Sequence, residues 1–285
     1  MTSYEAPAKL NLSLLVEPPR RDGYHPLESM VQTVQWCDLL EVQRSEEGSD
    51  SLLSDIDDNL VEHALAELRR TAAVPPLALS LSKEIPIEAG LGGGSSDAAA
   101  ALVAGADVTG LSRSSLHEVA SRVGSDVPLF LTGGTLMMRG RGDDIEPIRS
   151  LEDFAVAVVV PGFGLGTGEV YQRWDAMEGP EASPIPDDLL PPSLRGGMPM
   201  RNDLLPAALD LEPRLGDFMA DVASAWGSTV CLTGSGSACF GYFASLDEAS
   251  DAAGSVSHLA REARGVGLRN RGVARLDDPM DRDAR

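Results

Sequence analysis

The feature that most constrains this chain is a glycine-rich segment, Gly90-Leu-Gly-Gly-Gly-Ser-Ser-Asp97, that runs directly into an alanine-rich stretch. Ser and Asp are favoured at helix N-termini and alanine is the strongest helix former, so the segment predicts a loop followed by a helix. Glycine lets backbone N–H groups approach an anion closely, and the helix start adds unpaired donors and the positive end of the helix dipole. The pattern favours a phosphate-binding loop over a flexible turn with an ordinary helix cap.

The spacing argues against two common nucleotide-binding motifs. A Walker A loop places a lysine directly after its last glycine, whereas neither lysine of this chain, Lys9 or Lys83, follows a glycine. A second glycine-rich stretch, 161–168, follows a strand-like run, but counting the dinucleotide pattern from Gly162 puts Thr167 where the third glycine belongs. Another group must therefore bring positive charge to the phosphates.

The charge balance restricts the class of partner. The chain has 23 basic and 44 acidic side chains, a formal charge of −21, which argues against binding to a nucleic-acid backbone. All but two of the basic residues are arginines, a composition that either a GC-rich genome or a high-salt cytoplasm would explain. We expect a small-molecule substrate, and a monomer or weak homodimer.

Three further features indicate a cytoplasmic protein with no membrane partner. No uninterrupted apolar run is long enough for a transmembrane helix. The N-terminus lacks the basic segment and cleavage site of a secretory signal. Cys37, Cys231 and Cys239 are odd in number and have no metal-like spacing, which fits a reducing compartment.

Hydrophobic periodicity predicts a mixture of strands and helices around the glycine-rich loop. The predicted strands cover 8–16, 30–42 with a break near Asp38, 77–81, 154–160 and two pieces within 229–243. The predicted helices cover 59–71, the alanine run after Asp97, 111–124, 204–225 and 246–264. A proline-rich stretch, 176–200, is predicted to be a long surface loop. We place one domain at 1–150, a second at 151–278 and a mobile tail at 279–285.

Four other short stretches carry chemistry-bearing residues, and each has an ordinary structural explanation when taken alone. Lys9 lies on the N-terminal strand, where a lysine usually faces solvent. Asp126 in the Ser-Asp-Val-Pro stretch could be a turn aspartate before a strand. The segment 21–25 places Tyr24 and His25 in a turn, and 233–237 is a glycine-containing strand–loop junction.

Taken together, these stretches resemble the GHMP kinase superfamily of small-molecule kinases. Its three motifs occur in order, at 7–14 (PAKLNLSL), 86–99 (PIEAGLGGGSSDAA) and 232–240 (LTGSGSACF). The resemblance is closer to the branch that acts on 4-diphosphocytidyl-2-C-methyl-D-erythritol, because of 20–42 (RRDGYHPLESMVQTVQWCDLLEV), 123–135 (VGSDVPLFLTGGT) and 202–209 (NDLLPAAL).

The resemblance implies an α+β GHMP kinase fold of two subdomains with the active site in the cleft between them. It implies ATP-dependent phosphorylation of the substrate's 2-hydroxyl in isoprenoid precursor biosynthesis, with ATP and Mg²⁺ as cofactors. Asp126 would be the general base and Lys9 the catalytic lysine. The residues implied to bind ATP are Lys83, Pro86, Ile87, Glu88, Ala89, Gly90, Leu91, Gly92, Gly93, Gly94, Ser95 and Ser96. The residues implied to bind the acceptor are Asn11, Tyr24, His25, Thr167 and Tyr171.

Some alternatives remain at this point. The chain could be a GHMP kinase for a different alcohol, or a non-catalytic nucleotide-binding or sensor protein on the same scaffold. No metal ligand is assigned, although the Ser95 and Ser96 hydroxyls could bind phosphate or magnesium. Because two anionic substrates must enter an acidic protein, we expect local positive potential from Lys9, from Arg20 or Arg21, and from the helix start.

Overall fold

The computed structural model describes residues 1–21, 23–54 and 60–276; the predicted tail 279–285 and the first residue of the predicted helix 59–71 lie outside these ranges. The strands are β1 (Thr2–Val16), β2 (Leu27–Arg44), β3 (Ser51–Leu53), β4 (Leu77–Ser82), β5 (Thr135–Gly140), β6 (Asp144–Pro147), β7 (Ala155–Val160), β8 (Cys231–Leu232), β9 (Cys239–Phe243), β10 (Glu262–Val266) and β11 (Ala274–Arg275). The helices are α1 (Leu60–Arg69), α2 (Gly93–Thr109), α3 (His117–Val123), α4 (Val127–Thr132), α5 (Thr167–Ala176), α6 (Leu205–Leu211), α7 (Arg214–Trp226) and α8 (Leu246–Ser255).

The larger sheet is built around the long antiparallel pair β1 and β2. Its strand order is β11-β1-β2-β4-β3, with β5 pairing to the free part of β2 and β6 to β5. The predicted break near Asp38 does not end β2. Instead the register shifts from Ala8 opposite Val34 to Pro7 opposite Cys37, so two extra β2 residues form a bulge and pairing then continues. A bulge bends a strand without ending it.

The predicted alanine run lies on helix α2, which is buried in the core beside this sheet. Ala98 to Val103 are all at most 1% exposed, and the helix packs on α1, α4, β1 and β2. Small side chains let a helix approach its neighbours closely, so the alanine run both favours the helix and allows it to be buried. This burial fixes the position of the α2 N-terminus, and therefore of the glycine-rich loop before it.

The smaller sheet has the order β10-β7-β9-β8, all antiparallel. The strand predicted over 154–160 is β7, and its continuous run of apolar residues is fully buried. The predicted helix 246–264 is too long: α8 ends at Ser255, and 262–266 form β10 against β7. The buried residue Val256 caps the C-terminus of this helix, and the alternating exposure of β10 has the period of a strand.

The predicted helix 204–225 is divided at Glu212 and Pro213 into α6 and α7.

Two other segments differ from their predictions. The stretch 176–200 contains two short 3₁₀ turns, and it buries Leu190, Leu194 and Met200 in the core between the sheets. It is therefore a packed loop and not merely a surface one. The segment after Asp126 is a short helix, α4, where a strand was one interpretation. Pro128 near its start suits a first helical turn, since those N–H groups have no intrahelical partner.

The chain's C-terminal part returns to the first sheet, where β11 pairs with β1. The domain boundary near Ser150 stays a prediction. Within the described residues, no helix combines the length and apolar character needed to cross a bilayer.

Candidate active site

Lys9 lies in the interior of the protein, on β1 of the larger sheet. It is 5% exposed, and its Nζ donates to Asn11 Oδ1 at 2.5 Å. Asn11 is held in turn by Ser29 Oγ at 2.7 Å and through its own N–H by Thr233 Oγ1 at 2.9 Å. Burial lowers the pKa of Lys9, and the negative charge of Asp126 opposes that shift. A lysine on a strand is therefore not solvent-facing here but held rigidly at an internal site.

Asp126 immediately precedes α4, and it faces Lys9. Its Oδ2 lies 4.0 Å from Lys9 Nζ, and the carboxylate is 37% exposed. Tyr171 on α5 is also close enough to Asp126 to respond to its charge. Burial, with a smaller contribution from Asp126, raises the pKa of Tyr171 to about 12, so its phenol stays neutral at physiological pH. The site thus holds a buried ammonium, an accessible carboxylate and a neutral phenol.

The glycine-rich loop lies against Lys9 and against the loop between β8 and β9. A Cβ at Gly90 would lie 2.7 Å from the carbonyl oxygen of Thr233, and one at Gly92 would lie 2.8 Å from the Phe130 ring. Both glycines have positive φ, +76° and +73°. Lys9 N–H donates to Leu91 O at 2.9 Å, which ties the loop to β1. Glycine is needed at these two positions because the backbone is left-handed and has no room for a side chain.

Lys83, expected beside the nucleotide, has an ammonium group with two carboxylate partners. Its Nζ contacts Asp38 and lies 2.6 Å from Asp97 on the first turn of α2. Asp38 also accepts from the backbone N–H groups of Glu84 and Ile85. This buried cluster joins β2, the end of β4 and the start of α2. Because α2 begins directly after the glycine-rich loop, the cluster also fixes the position of that end of the loop.

Two cavities meet at the glycine-rich loop. The larger, about 670 Å³, is lined by Lys9, Asn11, Tyr24, His25, Asp126, Thr167 and Tyr171. The smaller, about 280 Å³, is lined by Lys83, Ser95 and the whole stretch 85–94. Gly90, Gly92 and Ser95 line both. The structure therefore brings the residues predicted for the acceptor into one cavity and those predicted for ATP, apart from Ser96, into the other.

Aromatic side chains surround His25 in the wall of the larger cavity. The His25 ring lies 5.0 Å from the Tyr171 ring and 5.5 Å from the ring of Trp174. His25 Nε2 lies 2.8 Å from Asp175 Oδ1. Tyr171, Trp174 and Asp175 share one face of α5 because residues three and four apart are neighbours on a helix. Tyr24, in contrast, is 55% exposed.

Sequence reasoning missed Arg141, which lines the larger cavity and stacks on the Tyr24 ring at 3.9 Å. Arg20 and Arg21, expected to supply positive potential, do not line that cavity. Arg141 lies in the turn between β5 and β6, within an Arg-Gly-Arg-Gly stretch at 139–142 that could have indicated an exposed basic turn.

Sequence reasoning also missed Ser235, whose Oγ lies 2.9 Å from Thr167 Oγ1. This hydroxyl pair links the start of α5 to the third motif, on the wall of the larger cavity. Asn202 fixes the same motif loop from behind, since its Nδ2 donates to Leu232 O and Gly234 O.

The residues around the loop fit a magnesium ion whose ligands come mainly from nucleotide phosphates and water. Across the part of the chain that the structure describes, no three acidic, histidine or cysteine side chains cluster as metal ligands. Mg²⁺ beside ATP needs only one or two protein oxygens, because phosphates and waters fill its other positions. Among the described residues, Ser96 Oγ is buried and has no hydrogen-bond partner, and Ser95 lines both cavities. These two hydroxyls at the α2 start are of the hard-oxygen type that Mg²⁺ prefers.

Comparison with known proteins agrees with this geometry. A family profile described as "GHMP kinases N terminal domain" matches residues 59–134. The 4-diphosphocytidyl-2-C-methyl-D-erythritol kinase of Salinispora arenicola is 38% identical and aligns over 91% of this chain and 90% of its own length. That of Granulibacter bethesdensis is 36% identical over 87% of each chain. The chain is a member of the 4-diphosphocytidyl-2-C-methyl-D-erythritol kinase family.

Solved structures agree with membership of the 4-diphosphocytidyl-2-C-methyl-D-erythritol kinase family. A crystal structure of 4-(cytidine 5'-diphospho)-2C-methyl-D-erythritol kinase superposes with a TM-score of 0.78 and 33% identity, covering 93% of this chain and 98% of that one. A homoserine kinase from Cytophaga hutchinsonii shares the fold, with a TM-score of 0.68 at 15% identity. The predicted α+β GHMP kinase fold is confirmed. The roles of individual site residues in this family member remain predictions.

Proposed function

We propose that this protein transfers the γ-phosphoryl group of ATP to the 2-hydroxyl of 4-diphosphocytidyl-2-C-methyl-D-erythritol. The observation that carries the proposal is that Lys9 Nζ lies 4.0 Å from Asp126 Oδ2 in the wall of the larger cavity, which shares Gly90, Gly92 and Ser95 of the glycine-rich loop with the smaller cavity. An acceptor in the larger cavity and ATP in the smaller one would meet at this point. The cytoplasmic location and the oligomeric state remain predictions from the sequence.

Asp126 is proposed to accept the proton of the attacking hydroxyl. The acceptor oxygen forms a bond to the γ-phosphorus, the bond from that phosphorus to the bridging oxygen breaks, and ADP leaves with the electron pair. The proton moves to the Asp126 carboxylate, which is exposed enough to touch a substrate. General-base assistance of this kind typically contributes about 10²–10⁴-fold to the rate.

Lys9 and the loop are proposed to stabilise the charge that spreads over the transferring group. In phosphoryl transfer the protein acts mainly by positioning and by electrostatic stabilisation. The Lys9 ammonium is held by Asn11 Oδ1 and is buried, so its charge is poorly screened by water. Arg141 supplies a second cation to the larger cavity, where the acceptor's diphosphate would bring negative charge into an acidic protein.

Mg²⁺ is proposed to accompany ATP, with Ser95 and Ser96 as its protein contacts. When bound, the ion neutralises charge on the phosphate oxygens. Within the part of the chain that the structure describes, Ser96 Oγ is otherwise a buried hydroxyl without a hydrogen-bond partner, a costly arrangement unless something binds it. Ser96→Ala and Ser95→Ala should therefore each weaken Mg²⁺–ATP binding in an equilibrium titration, without changing the secondary structure.

The test is an ADP-release assay with 4-diphosphocytidyl-2-C-methyl-D-erythritol, mevalonate and homoserine as acceptors. The wild-type protein should use the first and not the other two, whereas turnover of mevalonate or homoserine would identify a kinase for a different alcohol. Asp126→Asn should lower kcat by about 10²-fold or more while leaving ATP binding intact. Lys9→Ala should likewise bind ATP and lose most turnover. A wild-type rate in Asp126→Asn would overturn the base assignment, and no ADP release with any acceptor would favour a non-catalytic binding protein.

A further inference from the structure

Asp175 is a carboxylate in the wall of the larger cavity that the reaction chemistry does not use. It lies near the C-terminus of α5, and its Oδ1 is 2.8 Å from Nε2 of His25. The neighbouring Arg173 turns away and pairs with Asp210 on α6. Asp175 therefore has a specific partner in the cavity wall, and the effect of that partner depends on which imidazole nitrogen carries a proton.

A carboxylate only accepts hydrogen bonds, so the nitrogen facing Asp175 must be the one that carries hydrogen. In the neutral imidazole this leaves Nδ1 with a lone pair, and Nδ1 becomes an acceptor. The His25 ring is only 10% exposed and is packed against Tyr171 and Trp174, so it has little freedom to turn over.

We propose that Asp175 is a specificity-determining residue that holds His25 in the Nε2–H tautomer, so that Nδ1 selects an amino-bearing pyrimidine. Cytosine presents an exocyclic amine, which donates to Nδ1. Uracil presents a carbonyl oxygen at the same position, and two lone pairs would then face each other. This inference rests on the proposed function, since it assumes that His25 faces the base of the nucleotide-linked acceptor.

The role is one of positioning, because Asp175 acts through His25. Losing such a hydrogen bond should change base discrimination by about tenfold or more. The rate of phosphoryl transfer should change little, because Asp175 is paired with His25, whereas the proposed base Asp126 is paired with Lys9. A loss of packing alone would weaken cytidine and uridine substrates equally. The ratio between the two substrates therefore separates the proposal from a purely structural role.

The experiment compares Asp175→Ala with the wild-type protein and with Asp210→Asn, a control that alters an exposed carboxylate paired to the same helix. Steady-state kinetics with the cytidine substrate and its uridine analogue give kcat and KM for each. In Asp175→Ala we expect an increase of about tenfold in KM for the cytidine substrate, kcat within about twofold, and at least a tenfold fall in the cytidine-to-uridine ratio of kcat/KM. The control should match the wild-type protein. An unchanged ratio, or equal losses for both substrates, would overturn the proposal.

Two measurements stand apart from turnover, so they separate this proposal from the kinase assignment. Long-range ¹H–¹⁵N spectra of the four histidines, with His25→Gln to assign the signal, should show the Nε2–H tautomer in the wild-type protein and a changed population in Asp175→Ala. Titration with CDP and UDP should show the wild-type preference and its loss in the variant. Retained CDP discrimination without phosphoryl transfer would reject only the kinase assignment. A doubly protonated His25, or one unaffected by Asp175→Ala, would reject the tautomer proposal.

Discussion

Asp97 is buried in the first turn of α2, where it shares the Lys83 ammonium with Asp38. It is 1% exposed, and its Oδ1 has no hydrogen-bond partner in residues 1–21, 23–54 and 60–276. Burial, with a further contribution from the nearby Asp38 charge, raises the pKa of Asp97 to about 7, although Lys83 opposes the shift. One ammonium does not compensate two buried carboxylates, so the folded protein holds the proton on Asp97 more tightly than the unfolded chain does.

The direction of the pH effect follows from that difference. Between the unfolded pKa, 3.8, and the folded value of about 7, the native state binds more protons than the unfolded state. The contribution of Asp97 to stability is therefore complete below pH 3.8 and is lost as the pH rises through 7. With each pKa unit equal to about 1.36 kcal/mol, the loss between pH 5 and pH 8 is about 2–3 kcal/mol.

Asp97→Asn isolates this term, because asparagine resembles the protonated acid and does not titrate. Urea unfolding followed by circular dichroism at constant ionic strength would give the free energy of unfolding at pH 5 and pH 8. Relative to the wild-type protein, Asp97→Asn should gain about 2–3 kcal/mol between these two values. The exposed Asp221→Asn, on α7, should show no such gain. If the difference between wild type and Asp97→Asn were the same at both pH values, the assignment of a buried, proton-retaining carboxyl would be wrong.

Two further predictions concern the loop and the thiols. Gly92→Ala forces a side chain into a left-handed position, 2.8 Å from the Phe130 ring and 3.0 Å from the Lys9 stem, so it should lower kcat/KM for ATP by about tenfold or more. Gly254→Ala, with open space around it, is the control that should keep full activity. Burial raises the pKa of Cys37 to about 11 and that of Cys231 to about 12, so neither thiol should react with a disulfide reagent in the native protein at pH 8 within minutes. Both should react after unfolding, and rapid native labelling would contradict the burial argument.

Local patterns in the sequence predicted the parts of the site that depend on the backbone. The glycine-rich loop and the helix after it follow from glycine's tolerance of positive φ and the helix propensity of alanine. The buried strand β7 follows from its continuous apolar run. The errors fall where local preference was ambiguous, as at 246–264, where the C-terminal part of a predicted helix pairs with β7 instead.

The predicted site residues, apart from Ser96, line two cavities. The residues that pair with them could not be predicted from the sequence. Nothing near Lys83 in the sequence indicates that Asp38 and Asp97 both contact it. The same is true of the choice of Arg141 over Arg20 and Arg21 as the arginine that lines the cavity. The partners of Lys83 and the arginine that lines the cavity are set by how the strands and helices pack, because packing decides which turns lie beside the cavity.

By itself, then, the sequence determined the glycine-rich loop with the helix after it, most of the strands β1, β2, β4 and β7, and the family, because each follows from residues that are neighbours in the chain. Only the tertiary structure decided that Lys9 and Asp126 meet, and that Asp175 reaches His25. Those contacts join segments far apart in the chain, and their geometry is set by how β1, α4 and α5 pack together, which no local preference specifies.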